Sequence, residues 1–76
     1  MKKVYQILRE IHDDVNYEEI DDFLEQGVLD SFDIMTLVEL LEDAFSISVG
    51  GKDIIPENFK NVEAIENLVK NCGGSL

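Results

Sequence analysis

Asp30-Ser31-Phe32-Asp33-Ile34-Met35-Thr36-Leu37-Val38-Glu39-Leu40-Leu41-Glu42-Asp43-Ala44-Phe45 is the stretch whose reading decides the fold. Ile34, Leu37, Val38, Leu41 and Phe45 recur at i, i+3, i+4, i+7 and i+11, the spacing of one face of an α-helix. Asp30 and Ser31 both suit an N-cap, because each side chain can accept a hydrogen bond from a free N–H of the first turn. Asp33 adds negative charge near the positive end of the helix dipole. The pattern predicts a helix over residues 31–45 with those five apolar side chains turned inward. At about 100° per residue, Phe32, Met35, Glu39, Glu42 and Asp43 fall on the opposite face, and Ser31 borders it. That face mixes acids with two large apolar residues. Either it is a contact surface, or a neighbouring loop covers Phe32 and Met35.

Working outward, Val4, Ile7, Leu8 and Ile11 give a first helix over residues 3–12 with one apolar stripe. His12 at its end reads as a surface residue or a helix-end cation, with no assigned role. Residues 13–30 form a long connection carrying Asp13, Asp14, Glu18, Glu19, Asp21, Asp22 and Glu25. Ile20, Phe23, Leu24, Val28 and Leu29 are its expected anchors to the core, and Gly27 marks a turn. Beyond the central helix, Ser46 to Gly51 breaks the pattern. Residues 52–60 suit one or two short helical turns around Pro56. Asn61 can cap a last helix carrying Val62, Ile65, Leu68 and Val69, which Gly73-Gly74 ends. The expected fold class is all-α, a small four-helix bundle of three main helices plus one short helix, with a long first loop. Residues 1–76 read as one domain, with 72–76 a flexible tail.

Composition narrows the function classes. The chain has 76 residues, too few for a two-lobed enzyme with an enclosed cleft. Six Lys and Arg face 17 Asp and Glu, for a net charge of −11. Such a field repels nucleic acid and anionic membranes and attracts basic protein surfaces. Its other use is solubility alone. Cys72 is the one cysteine and cannot form an internal disulfide, which fits a reducing compartment. Its expected status is that of an incidental tail residue. No signal peptide and no membrane-length apolar run is evident, so the expected location is cytoplasmic, without membrane insertion.

Ser31 carries the functional question. As a cap it would contribute about 1 kcal/mol. As a catalytic nucleophile it would need a base and an orienting group. The one His is distant in sequence and no G-x-S-x-G elbow is present. No catalytic residue is assigned, and the chain does not read as an enzyme.

The string Gly27-Val28-Leu29-Asp30-Ser31-Phe32-Asp33-Ile34, followed by Leu37-Val38-Glu39-Leu40-Leu41-Glu42-Asp43-Ala44-Phe45, resembles the acyl carrier protein family, peptidyl and D-alanyl carriers included. The family's attachment site reads Asp-Ser-Leu or Asp-Ser-Met at the start of the second helix. Asp30-Ser31 matches that pair, and Phe32 stands where Leu or Met is usual. Pro56-Glu57-Asn58-Phe59 and Val62-Glu63-Ala64-Ile65 resemble the segment leading into the family's last helix. Fatty-acid carriers typically have Glu and Met where this chain has Thr36 and Glu39. The Gly-x-Leu-Asp-Ser string is closer to D-alanyl and stand-alone peptidyl carriers. Fatty acyl and D-alanyl or other aminoacyl cargo both stay open.

The resemblance implies an acyl-carrier-like bundle and a definite chemistry. A phosphopantetheinyl transferase would transfer a 4′-phosphopantetheine arm from coenzyme A to Ser31, with Asp30 beside it. The arm's thiol would carry an acyl or aminoacyl group as a thioester. A loading ligase and downstream transferases with basic docking surfaces would be the partners. Phe32, Asp33, Met35, Glu39, Glu42 and Asp43 are the candidate docking residues. The protein is expected to act as a monomer in fatty acid, lipid or peptidyl-carrier biosynthesis, with no resident metal. A remote alternative is a calcium-binding module, since Asp14, Asn16, Glu18, Asp22 and Glu25 fall at positions 1, 3, 5, 9 and 12 of an EF-hand loop. Glu19 stands there where the sharp turn wants Gly. An unmodified helical adaptor using the same outer face is the third possibility.

Overall fold

The central helix forms where the apolar period places it, over Ser31–Phe45. The computed structural model describes residues 2–74. In chain order the elements are α1 (Lys2–Ile11), a 3-10 turn at Tyr17–Glu19, α2 (Ser31–Phe45), 3-10 turns at Gly51–Asp53 and Pro56–Asn58, and α3 (Val62–Asn71). No strand occurs among the described residues, so the all-α expectation holds. The short helical turns expected around Pro56 are the last two 3-10 turns. Proline disfavours helical backbone in the residue before it. Ile55 is accordingly extended, at φ −127° and ψ 154°, and splits the segment.

The three helices bury one stripe each. Val4, Ile7 and Leu8 of α1 meet Ile34, Leu37, Val38 and Leu41 of α2 and Val62, Ile65, Leu68 and Val69 of α3 in a single core. Phe45, expected inward with them, is half-buried. Lys3 lies 5.1 Å from its ring centroid. A lysine at the positive end of α1 is poorly placed for the helix dipole, and the ring face gives it a partner.

The long connection is ordered by more anchors than the sequence pattern indicates. Phe23 and Leu29 are buried, and Ile20, Leu24 and Val28 pack against the core as expected. Tyr17, absent from the expected anchors, is buried as well. Its ring meets Phe23 edge-on at 5.3 Å. Its hydroxyl lies 2.9 Å from the carbonyl oxygens of both Leu8 and His12, donating at the C-terminal end of α1, where Leu8 O also accepts the His12 N–H. Burial pushes the Tyr17 hydroxyl's pKa above its ordinary value. The Phe23 N–H donates to the Lys60 carbonyl at 2.6 Å, tying the loop to the entry of α3. Gly27, at φ +73°, reverses the chain so that Val28 and Leu29 N–H groups both reach the Phe23 carbonyl.

Residues 72–74, the described part of the expected tail, close α3. Gly73 takes φ +91° and donates to Lys70 O, while Gly74 donates to Val69 O at 2.8 Å. This is a Schellman ending of α3. Cys72, expected to be incidental, is the C-cap and packs half-buried against the core. Burial, with Asp53 and Glu42 nearby, raises its thiol pKa and keeps it in the less nucleophilic protonated form. The rest of the expected tail, residues 75 and 76, lies outside the described residues.

Candidate functional site

Two residues competed for the cap of α2, and Asp30 holds it. Its backbone is extended, and its Oδ1 accepts the Asp33 N–H at 2.8 Å. Asp33 returns the bond, its Oδ2 accepting the Asp30 N–H at 3.3 Å. The reciprocal box closes only if Asp30 is the cap, because a cap at Ser31 would put buried Ile34 in the returning position. Ser31 is therefore the first helical residue. It is exposed, and its hydroxyl is not needed to start the helix.

Ser31 also borders an apolar cleft of about 260 Å³. Leu24, Ile34, Met35, Ile54, Ile55, Pro56 and Phe59 line the rest of it. The loop before α2 thus supplies one wall, the first turn of α2 the floor, and the segment around Pro56 the other wall. Phe32, Met35 and Ile55 stand in solvent around Ser31, at 79%, 54% and 41% exposure. No loop covers the first two, which removes one of the two readings of that face. Ile55 was invisible to sequence reasoning, because only the turn at Pro56 brings it beside Ser31.

The expected docking acids divide into two kinds. Glu39 and Asp43 are exposed on the outer face. Glu42 is half-buried, its Oε2 accepting the Val49 N–H at 2.9 Å. The helix ends in Ser46 at φ +53°, which bends the following chain back over Glu42. Asp33 is also occupied, in the capping box and by His12, whose Nε2 lies 3.0 Å from Asp33 Oδ2. That hydrogen bond raises the His12 pKa above 6.5 and lowers that of Asp33 below 3.8. His12, assigned no role from sequence, thus joins α1 to the start of α2.

The calcium reading finds no support in the geometry. Among the described residues no group of three or more His, Cys, Asp or Glu side chains is placed to hold a metal ion. Within that stretch Asp22 Oδ1 instead caps a turn, accepting the Leu24 and Glu25 N–H groups.

The family model described as phosphopantetheine attachment site covers residues 2–69. The chain belongs to this family. It is a carrier domain and not an enzyme, and its cofactor is covalently attached 4′-phosphopantetheine. No curated protein and no solved structure gives a significant match. The start of α2 suits the carrier's cofactor: unpaired first-turn N–H groups and the dipole's positive end favour a phosphate there. Carriage implies interaction with a phosphopantetheinyl transferase and with biosynthetic enzymes in general. No helix among the described residues is long and apolar enough to cross a membrane.

Proposed function

We propose that Ser31 is the residue that bears the arm. The observation that carries this is the division of labour at the start of α2: Asp30 caps, and Ser31 is left exposed at the cleft. In the transferase complex the Ser31 hydroxyl oxygen attacks the β-phosphorus of coenzyme A. A serine–phosphate bond forms, adenosine 3′,5′-bisphosphate leaves, and the serine proton passes to a base of the transferase. When bound, the arm supplies a terminal thiol that holds cargo as a thioester. This chain holds the hydroxyl outward and presents Phe32, Met35, Glu39 and Asp43 to basic partner surfaces. Complementary charge of that kind chiefly raises on-rates. The protein works as a cytoplasmic monomer.

Of the two cargo classes, an acyl group is the better supported. The cleft lining apart from Ser31 is apolar and offers no carboxylate to the ammonium of an aminoacyl group. Intact mass after incubation with coenzyme A, Mg²⁺ and a broad-specificity transferase tests the attachment. One phosphopantetheine is gained, and the gain is lost in Ser31→Ala. Loading the holo form with octanoyl or with D-alanyl then tests the cargo. Octanoyl raises the melting temperature by filling the cleft and D-alanyl does not. Equal melting of the two forms would argue against acyl cargo.

A further inference from the structure

Apart from the cleft, three elements meet at one titratable contact. His12 follows the last residue of α1, and its ring reaches Asp33 in the first turn of α2 at 3.0 Å. Its main chain is fixed on both sides. The N–H donates to Leu8 O at 3.1 Å, and the carbonyl lies 2.9 Å from the hydroxyl of buried Tyr17. The ring is thus held against the capping box by a loop anchored in the core.

That placement bears on the chemistry at Ser31. Asp30 precedes the serine and Asp33 follows two positions later, so a serine that must meet a phosphate is flanked by two carboxylates. An imidazolium on Asp33 offsets part of that repulsion. It also holds the Asp33 side chain where its Oδ2 can accept the Asp30 N–H, which keeps Ser31 outside the cap.

We infer that His12 is a positioning residue for arm attachment. Through Asp33 it fixes Ser31 as the first helical residue and balances the negative charge an incoming phosphate meets. The inference rests on the Ser31 reading. The charged groups facing His12 are Asp33 and Asp30 from α2 and Asp14 from the loop after α1, and all three favour the imidazolium, while its partial burial opposes it. The charged form therefore persists above the ordinary histidine range.

The test compares wild type, His12→Gln and His12→Lys, with folding checked by circular dichroism. Modification rates with coenzyme A, Mg²⁺ and one transferase are followed by intact mass from about pH 6 to about pH 8.5. At the acid end His12→Gln is slower than wild type by roughly three- to tenfold, the scale of a misplaced reacting group partly retained by the helix itself. The ratio falls towards one as His12 deprotonates, and His12→Lys keeps its rate at the alkaline end. A ratio of one throughout, a deficit that does not vary with pH, or a His12→Lys rate equal to that of His12→Gln everywhere would overturn the role of His12. No mass gain in wild type at any pH would instead overturn the Ser31 reading, and this inference with it.

Discussion

Helices α2 and α3 begin alike and are used differently. Asp30 and Asn61 are both extended, and each accepts at 2.8 Å the N–H of the residue three positions on. The first helical residue of α3 is Val62, buried at 7% exposure. The first helical residue of α2 is Ser31, exposed beside the cleft. Asn61 also donates to Asp21 O, so its turn is drawn down onto the long loop. Asp30 has Asp33 and, behind it, His12, which hold the turn without covering it. Local hydrogen bonding starts a helix in either place, and the surrounding packing decides whether the next residue is buried or exposed.

The sharpest way to break this comparison is Ser31→Ala. Capping is Asp30's work, so melting changes little while the phosphopantetheine mass gain disappears completely. Intact survival of that gain would show that the arm sits elsewhere. Next in size is Tyr17→Phe, which takes this donor from the His12 carbonyl and leaves Leu8 O with the His12 N–H alone. A loss of about 1–3 kcal/mol in urea unfolding is expected from the partly buried acceptors.

The caps themselves come third. Asp30→Ala and Asn61→Ala should each cost about 1 kcal/mol of unfolding free energy. Only Asp30→Ala should also slow modification at Ser31. Equal slowing by both would mean that general stability, not local geometry, controls the serine.

The smallest effect is pH-dependent. The raised pKa of His12 gives a contribution that is present below 6.5 and lost as pH rises through its folded value. The lowered pKa of Asp33 gives one that is present above 3.8 and lost as pH falls through its folded value. The pair is therefore complete between those limits. Wild type should exceed His12→Gln there by under about 1 kcal/mol, as befits a half-exposed ion pair. The advantage should fade on both sides. A histidine proton resonance titrating above 6.5, and falling back in Asp33→Asn, would give the cause directly.

Much of this was legible beforehand because it is local. The extent of α2, the cap at Asn61 and the stripes of α1 and α3 follow from side-chain period and backbone hydrogen bonding, which act within a turn or two. The string flanking Asp30-Ser31 pointed to the proposed attachment site. Several differences depend on contacts beyond a single helical turn. Tyr17 sits among acids, and its single aromatic ring in a polar stretch was the one available signal. His12 and Asp33 are far apart in sequence, and no pattern along one strand of text couples them. Glu42 lay on the outer face of an ideal wheel, but the chain reversal at Ser46 brings Val49 back to it.

The sequence by itself determined the helices, their inward faces and the acidity, because periodicity and composition act on each segment independently, and the string over residues 27–45 carried the resemblance to the carrier family. Only the tertiary structure decided which of two adjacent residues caps α2. That choice comes with the reciprocal box between Asp30 and Asp33, whose carboxylate also meets the His12 ring, and a loop and a proline turn leave Ser31 uncovered beside an apolar cleft.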